Sequence, residues 1–135
     1  MQKSKHVLIV DDEVIVLEYL SAFFETFDPE PVVHAFNDEV EAIHFIKDCN
    51  NQIDLAILDL KLKILTGIEI ADTIMDYRSN ASIIFITGYG EKEAEDFNSQ
   101  QRVRNEFPAM IFTKPLNSAI LKDYVQAVLY PESIS

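Results

Sequence analysis

The sequence predicts an α/β fold in which a parallel sheet carries helices on both faces, that is, a doubly wound sheet. Short apolar runs recur five times along the chain, and a segment with helical spacing follows each of them. Several of these runs are almost continuously hydrophobic, which is typical of strands buried on both faces. Because strands and helices alternate from one end of the chain to the other, the order is β-α repeated five times.

The five apolar runs are the predicted strands. In chain order they are VLIV (7–10), PVVHAF (31–36), IDLAIL (53–58), IIFI (83–86) and AMIF (109–112). Right-handed crossovers between parallel strands limit the possible topologies. In open sheets of this kind ligands bind at the carboxyl ends of the strands, near a topological switch point, so we expect the chemistry at that edge.

The first two helices are predicted from apolar spacing and from a capping residue. After the first strand, apolar residues recur every three or four positions, beginning with Val14, Leu17 and Leu20. The second helix is expected over about 38–48, with Asn37 as its N-cap.

Three further helices complete the prediction. The third opens with the letters TGIE, in which Thr66 and Glu69 have the spacing of a capping box. The fourth is expected over roughly 91–105. The fifth follows Asn117 and stops before Pro131, because proline cannot continue a helix.

Length and composition fit one domain over residues 1–135, with its core at about 5–129 and a short tail at 130–135. No apolar run approaches the ~20 residues of a membrane span. Because the first residues lead directly into a predicted strand, we expect no signal peptide. The single cysteine, Cys49, fits a reducing compartment, so a cytoplasmic location is expected. The formal net charge of −12 should repel nucleic acid and anionic lipid, so direct binding to either is not expected.

Polar residues follow four of the predicted strands at the point where each strand ends. Asp11 and Asp12 follow the first strand, Asp59 the third, Thr87 the fourth and Lys114 the fifth. Because a parallel sheet places all these ends on one edge, three carboxylates, a hydroxyl and an ammonium should converge there.

Clustered carboxylates are tolerable when a hard divalent cation lies among them. Mg²⁺ takes oxygen ligands in octahedral geometry, often one or two protein carboxylates with waters and phosphate oxygens. Lys114 and Thr87 would then suit the oxygens of a phosphoryl group. Asp54 serves as a contrast, since it lies five residues before Asp59, about 16 Å away at the opposite end of the strand. We expect no chemical role for it.

At these residues the chain resembles the receiver domains of two-component response regulators. The matching pieces are VLIVDDE (7–13), DLAILD (54–59), TG (66–67), IIFITGYG (83–90) and FTKPL (112–116). Together they extend over nearly the whole chain. One such piece is weakly specific, whereas five in the right order and spacing are a strong signal.

The resemblance implies a flavodoxin-like fold with strand order 2-1-3-4-5. It implies that Asp59 accepts a phosphoryl group from a sensor histidine kinase or a phosphotransfer protein. Asp12, Asp59 and the backbone carbonyl of Lys61 would bind Mg²⁺ directly, with Mn²⁺ as a substitute, and Asp11 would hold the ion through water. Thr87 and Lys114 would contact the phosphoryl oxygens.

The resemblance also implies a signalling domain rather than an enzyme. Its conformational switch would regulate an output domain or a partner protein, and a homodimer through the face of the fourth and fifth predicted helices is a further expectation. The Lys114–Pro115 peptide bond would be cis, which the small trans preference of such bonds allows.

Some positions depart from the pattern of the family. Lys63 takes a place where proline is common, which predicts a looser loop after Asp59. The stretch between Thr87 and Lys114 is a few residues longer than usual. Ile111 stands where the family often has an aromatic residue that swings inward, so we expect no such rotation here.

Two alternatives come from the same residues. A degenerate receiver would act as an interaction module without phosphorylation, although all five site residues are present. A haloacid-dehalogenase-like phosphatase also uses an aspartate nucleophile and Mg²⁺, but it needs a D-x-D pattern that the run Asp11-Asp12-Glu13 lacks. A flavodoxin that binds flavin is disfavoured because the loop after the first strand has no hydroxyl and glycine residues to hold a phosphate.

Overall fold

The sheet has five parallel strands in the order β2-β1-β3-β4-β5. The computed structural model describes residues 4–48, 52–77, 80–88 and 109–133. The strands are β1 (His6–Val10), β2 (Val32–Phe36), β3 (Leu55–Asp59), β4 (Ser82–Thr87) and β5 (Ala109–Thr113). This confirms the flavodoxin-like doubly wound fold and its strand order.

Four helices and a short 3₁₀ helix connect and follow the strands in the described part of the chain. They are α1 (Val14–Phe24), α2 (Glu39–Asp48), α3 (Gly67–Tyr77), α4 (Ser118–Leu129) and the 3₁₀ helix Pro131–Ser133. The helix predicted over 91–105 and the extra residues after Thr87 lie outside the described residues. None of the helices that are described is long and apolar enough to cross a membrane.

Side-chain caps fix where the helices begin. The capping box at the start of α3 is confirmed, because Glu69 N–H donates to Thr66 Oγ1 at 3.2 Å and Thr66 N–H donates to Glu69 Oε1 at 3.0 Å. Asn117 caps α4 by accepting the N–H of Ile120. The prediction of Asn37 as the cap of α2 is wrong. The helix begins one residue later, and its cap is Asp38, whose Oδ1 accepts the N–H groups of Val40 and Glu41.

Two apolar layers cover the two faces of the sheet. Alternate side chains of one strand enter opposite layers, because successive residues of a strand point to opposite faces. In β1, Leu8 and Val10 pack with α2 and α3, while Val7 and Ile9 pack with α1 and α4. The three central strands, β1, β3 and β4, are thereby excluded from water on both faces, which explains their continuous hydrophobicity. The edge strands β2 and β5 are partly exposed.

Strand β5 lies at the edge of the sheet, and its side chains also alternate. Ile111 packs against the layer that includes α3, whereas Phe112 packs against the layer that includes α4. This confirms that the two side chains point in opposite directions. The peptide bond between Lys114 and Pro115 is cis, as the resemblance implied, and Asp28–Pro29 is cis as well.

The amino ends of the strands carry a separate group of polar residues. The Asp54 carboxylate accepts the backbone N–H of His6 at 2.8 Å and the side-chain amide of Gln52 at 2.6 Å. His6 Nδ1 and His34 Nε2 lie 3.0 Å apart and share a hydrogen bond between nearly parallel rings. These contacts link His6 at the start of β1 with His34 in β2 and with Asp54, which precedes β3.

Candidate functional site

The strand register brings the predicted site residues to one edge of the sheet. Val10 pairs with Leu58 across β1 and β3, so Asp11 and Asp59 follow at the same level. Thr87 ends β4 one residue past the partner of Asp59, and it pairs with the last residue of β5. Lys114 comes next in the chain and donates its backbone N–H to the Thr87 carbonyl at 2.8 Å.

Four carboxylates meet at this edge. Asp11, Asp12, Glu13 and Asp59 each offer an oxygen, and these oxygens all lie within 4.8 Å of one another. Asp11 is fully buried and Asp59 is 4% exposed, whereas Asp12 is half-buried and Glu13 is exposed. The sequence reasoning placed three of these carboxylates here and did not assign Glu13. Glu13 could have been found from its position as the third consecutive acidic residue after β1.

Lys114 is the cation at the centre of this cluster. Its Nζ lies 2.7 Å from Glu13 Oε1, 3.1 Å from Asp11 Oδ2 and 3.3 Å from Asp59 Oδ2. The side chain is only 17% exposed, so water screens its ion pairs with the buried Asp11 and Asp59 weakly. One ammonium is therefore shared by three carboxylates that come from β1 and β3.

Backbone N–H groups orient the two buried aspartates. Asp11 Oδ1 accepts the N–H of Glu13 at 2.8 Å, and Asp59 Oδ1 accepts the N–H of Lys61 at 3.1 Å. In each residue the other oxygen, Oδ2, faces Lys114. Within the described residues, Asp11 Oδ2 makes no hydrogen bond, and its contact with the ammonium is an ion pair alone.

Burial and the neighbouring charges together shift the pKa values of the cluster. Burial raises the pKa of the Asp11 carboxyl to about 6, and the charge of Asp59 adds to the rise, against the effect of the Glu13 N–H. Burial also raises the pKa of Asp59, against the effects of the Lys61 N–H and of Lys114. For Lys114, burial alone would lower the pKa, but its contacts with Glu13, Asp11 and Asp59 raise it instead. The site retains an excess of negative charge.

The acidic cluster fits a divalent cation. A buried carboxylate oxygen without a hydrogen bond, Asp11 Oδ2, is costly to retain unless another group compensates it. Four converging carboxylate oxygens are the ligand type that Mg²⁺ prefers. The excess negative charge beside Lys114 has the sign that such an ion would neutralise.

Gly67 lets helix α3 begin directly against the end of strand β3. A Cβ atom at this position would lie 3.0 Å from the carbonyl carbon of Asp59 and closer still to its oxygen. The Gly67 N–H also donates to the Leu60 carbonyl at 3.1 Å. Any larger residue would push the backbone of Asp59 away. The sequence marked this glycine only as part of the TG piece and gave no reason for it.

Gly88 leaves the opposite side of the site open. It is exposed, and a Cβ added there would meet only the Lys114 side chain, at an ordinary contact distance of 3.9 Å. Thr87 beside it is 1% exposed at the end of β4. Residue 88 therefore has no side chain that could obstruct the approach to Asp59.

Comparison with known proteins identifies the family. The family model of the response regulator receiver domain matches residues 7–126. The chain therefore belongs to the response regulator receiver domain family, which is a family of signalling domains.

Relatives and solved structures agree with this assignment. Protein MrkE of Klebsiella pneumoniae is 30% identical over 91 residues, which are 67% of this chain and 33% of that protein. The transcriptional regulatory protein YpdB of Escherichia coli (strain K12) is 29% identical over 67% of this chain and 36% of its own length. The chain thus spans about a third of the length of these relatives.

A solved structure matches over almost the full chain. The CheY-like response regulator receiver domain protein of Methanospirillum hungatei JF-1 has a TM-score of 0.76 and 26% sequence identity. The match covers 97% of this chain and 98% of that one.

Proposed function

We propose that this domain accepts a phosphoryl group on Asp59 from the phosphohistidine of a sensor histidine kinase or a phosphotransfer protein. The observation that carries the proposal is the position of Lys114, whose ammonium lies 3.3 Å from Asp59 Oδ2 and is shared with two further carboxylates. A fixed cation beside a buried nucleophile is what phosphoryl transfer needs, because that reaction depends mainly on positioning and on stabilisation of charge.

The chemistry follows from the residues at the edge of the sheet. A carboxylate oxygen of Asp59 attacks phosphorus, the bond between phosphorus and the donor's imidazole nitrogen breaks, and the freed nitrogen takes up a proton. Lys114 stays beside the acceptor and donates to a phosphoryl oxygen as charge gathers there. Thr87 is proposed to donate its hydroxyl to another phosphoryl oxygen.

Asp12, Asp59 and the Lys61 carbonyl are proposed to hold Mg²⁺, with Asp11 acting through water and Mn²⁺ as a substitute. When bound, the ion supplies positive charge that lowers the repulsion between the acidic cluster and an incoming phosphoryl group. The raised pKa of Asp11 supports this assignment, and so does the buried oxygen Asp11 Oδ2, which accepts no hydrogen bond.

The output is proposed to be a conformational change that an output domain or a partner protein reads. The domain assists its own phosphorylation and dephosphorylation but has no substrate other than its phosphodonor. A cytoplasmic location, a single domain over 1–135 and a homodimer through the face of the helix predicted over 91–105 and of α4 are part of the proposal. The net charge of −12 argues against direct binding to nucleic acid or to a membrane.

The test is labelling of the protein by a small phosphodonor, followed by mass spectrometry. The wild-type chain should gain one phosphoryl group in the presence of Mg²⁺ and none after chelation, and Asp59→Asn should abolish the gain. Asp54→Asn is the matched control. Asp54 directly precedes β3, at the opposite end of the strand from Asp59, so this variant should be labelled normally.

Undiminished labelling of Asp59→Asn would remove the assignment of the acceptor. Absence of labelling in the wild type, with both the small donor and a phosphorylated kinase, would favour the degenerate receiver instead.

A further inference from the structure

Glu39 is a buried carboxylate that the proposed chemistry does not use. It lies in the first turn of α2 and is 3% exposed. Among the residues that the structure describes, the other buried polar or charged side chains are Asp11, Asp59 and Thr87, which all belong to the site. Burial of a carboxylate is costly unless it is well hydrogen-bonded, so its presence here calls for a physical reason.

The contacts of Glu39 are three successive backbone N–H groups. Its Oε2 accepts the N–H of Ile64 at 2.8 Å and that of Leu65 at 3.3 Å, and its Oε1 accepts the N–H of Lys63 at 3.3 Å. Successive N–H groups in a turn form a concave anion-binding arrangement. The amino end of α2 favours negative charge at the same place. Backbone dipoles thus compensate this carboxylate.

The three N–H groups lie in the middle of the loop that joins β3 to α3. Its two ends are held by other contacts. Lys61 and Thr66 form an isolated antiparallel bridge, and the backbone of Gly67 lies against that of Asp59. Glu39 holds the stretch between them, so contacts at both ends and in the middle define the loop.

The same loop presents backbone groups to the acidic cluster. Lys61 N–H donates to Asp59 Oδ1 at 3.1 Å, and the Lys61 carbonyl is the proposed backbone ligand of the cation. The direction of this carbonyl depends on the conformation of the residues that follow it. Mutation of a group that orients a metal ligand commonly lowers the metal affinity by about tenfold or more.

We propose that Glu39 is a positioning residue of the phosphoacceptor site, which holds the loop at 63–65 so that the Lys61 backbone faces the acidic cluster. This inference rests on the proposed function. It gives α2 an indirect role, because the helix orients the site through Glu39 but contributes no residue to the acidic cluster. Lys63 fits the inference, because the proline that is common at this place in the family would have no N–H to give to Glu39.

Two substitutions separate the reach of the carboxylate from its charge. Glu39→Asp keeps the charge but shortens the side chain by one methylene, and Glu39→Gln keeps the length but places N–H donors against N–H donors. Both should lower the affinity of the full chain for Mg²⁺ about tenfold in calorimetric titration. Both should also speed hydrogen exchange of the amides at 63–65. Should Glu39→Gln fail to fold, Glu39→Asp supplies both measurements.

Glu41 provides matched controls. It lies in the same first turn of α2 but is exposed, so Glu41→Asp and Glu41→Gln make the same chemical changes without touching the loop. Both should leave Mg²⁺ affinity and amide exchange at 63–65 unchanged. If the effect of Glu39→Gln came only from lost charge, Glu39→Asp would not share it.

The outcomes distinguish this inference from the function on which it rests. Normal Mg²⁺ binding in the wild type, with no loss in either Glu39 variant, overturns the inference alone. Faster hydrogen exchange of the amides at 63–65 without loss of Mg²⁺ affinity also overturns it, because the loop would then have been released without any effect on metal binding. Absence of Mg²⁺ binding in the wild type would overturn the proposed function together with the inference.

Discussion

At the scale of single residues, Lys114 and Thr87 lie side by side but are expected to act on different charges. The ammonium of Lys114 contacts Asp11 and Asp59, which are carboxylates of the proposed cation site. It therefore repels any cation that binds there, whereas the hydroxyl of Thr87 carries no charge. Loss of either side chain should impair the phosphorylated state, because both are proposed to contact the phosphoryl oxygens.

We expect Lys114→Ala to raise the affinity for Mg²⁺ about tenfold, which is about 1.4 kcal/mol, because a nearby positive charge is removed. Thr87→Ala should leave this affinity unchanged within about a factor of two. Titration of the unphosphorylated protein with Mg²⁺, followed by tyrosine fluorescence or by calorimetry, measures both. Lys47→Ala, at an exposed lysine at the end of α2, controls for net charge. A large loss of Mg²⁺ affinity in Thr87→Ala would contradict this division of roles.

The titration of Asp11 gives the site a dependence on pH. Burial raises the pKa of Asp11 from 3.8 to about 6 in the folded protein. Between these two values the folded state binds more protons than the unfolded state, so the unfolding free energy falls as the pH rises through this window. A cation must displace the same proton below about pH 6, since its ligands have to be ionised.

Mg²⁺ affinity is therefore expected to be constant near neutral pH and to fall below about pH 6, by up to tenfold for each pH unit per proton displaced. Calorimetric titrations between about pH 5 and pH 8 would measure this. In Asp11→Asn the dependence should weaken, because that proton no longer competes with the ion. An affinity that stayed flat down to about pH 5 would show that Asp11 is ionised in the folded protein.

At the scale of secondary-structure elements, the contact between α3 and β3 determines the position of Asp59, the proposed phosphoacceptor. Helix α3 starts at Gly67, and its backbone approaches the Asp59 carbonyl more closely than a Cβ would permit. The capping box of Thr66 and Glu69 fixes the same end of the helix. A shift of this end away from β3 would break the hydrogen bond from the Gly67 N–H to the Leu60 carbonyl.

Gly67→Ala should lower the unfolding free energy by about 1–3 kcal/mol, the usual cost of overpacking. It should also reduce labelling of Asp59, because the clash is with the backbone of that residue. Gly88→Ala is the control for stability, since its Cβ would meet only the Lys114 side chain at 3.9 Å. Urea unfolding of the two variants measures the difference. Equal stability of Gly67→Ala and the wild type would mean that the start of α3 shifts easily.

The elements also show what can be predicted from sequence. The strands and their carboxyl-end residues Asp59 and Lys114 were predictable, because continuous apolar runs and a parallel order determine which residues share an edge. The cap of α2 was placed one residue early, because Asn37 and Asp38 are both good caps and only the geometry of the turn selects one. Glu39 was not recognised, since a glutamate at the start of a helix usually faces water.

At the scale of the whole molecule, stability and function oppose each other at the acidic edge. Four carboxylates meet there and three of them share one ammonium, in a chain whose net charge is already −12. Like charges held together destabilise the folded state when no cation is bound. A ligand that binds only the folded state stabilises it, by about 2.7 kcal/mol at a hundred times its Kd.

The order of stability of Asp12→Asn and the wild type should therefore reverse when Mg²⁺ is added. Without Mg²⁺ the variant should be more stable than the wild type by roughly 0.5–1 kcal/mol, because one of the clustered charges is removed. With saturating Mg²⁺ the wild type should be the more stable of the two, because the variant lacks a ligand. Urea unfolding with and without Mg²⁺ measures both. Asp123→Asn, at an exposed position in α4, should show no reversal, and the same rank of Asp12→Asn in both conditions would exclude Asp12 as a ligand.

The ammonium and the carboxylates that it contacts come from distant parts of the chain. Asp11 and Glu13 follow β1 and Asp59 ends β3, whereas Lys114 follows β5, the last strand to be made and one that lies at the edge of the sheet. During synthesis on the ribosome, the carboxylates leave the exit tunnel well before their cation. β5 can then add to β4 without displacing another strand. A prematurely terminated product would contain Asp59, the proposed acceptor, without Lys114, so incomplete chains should not draw phosphoryl groups away from finished molecules.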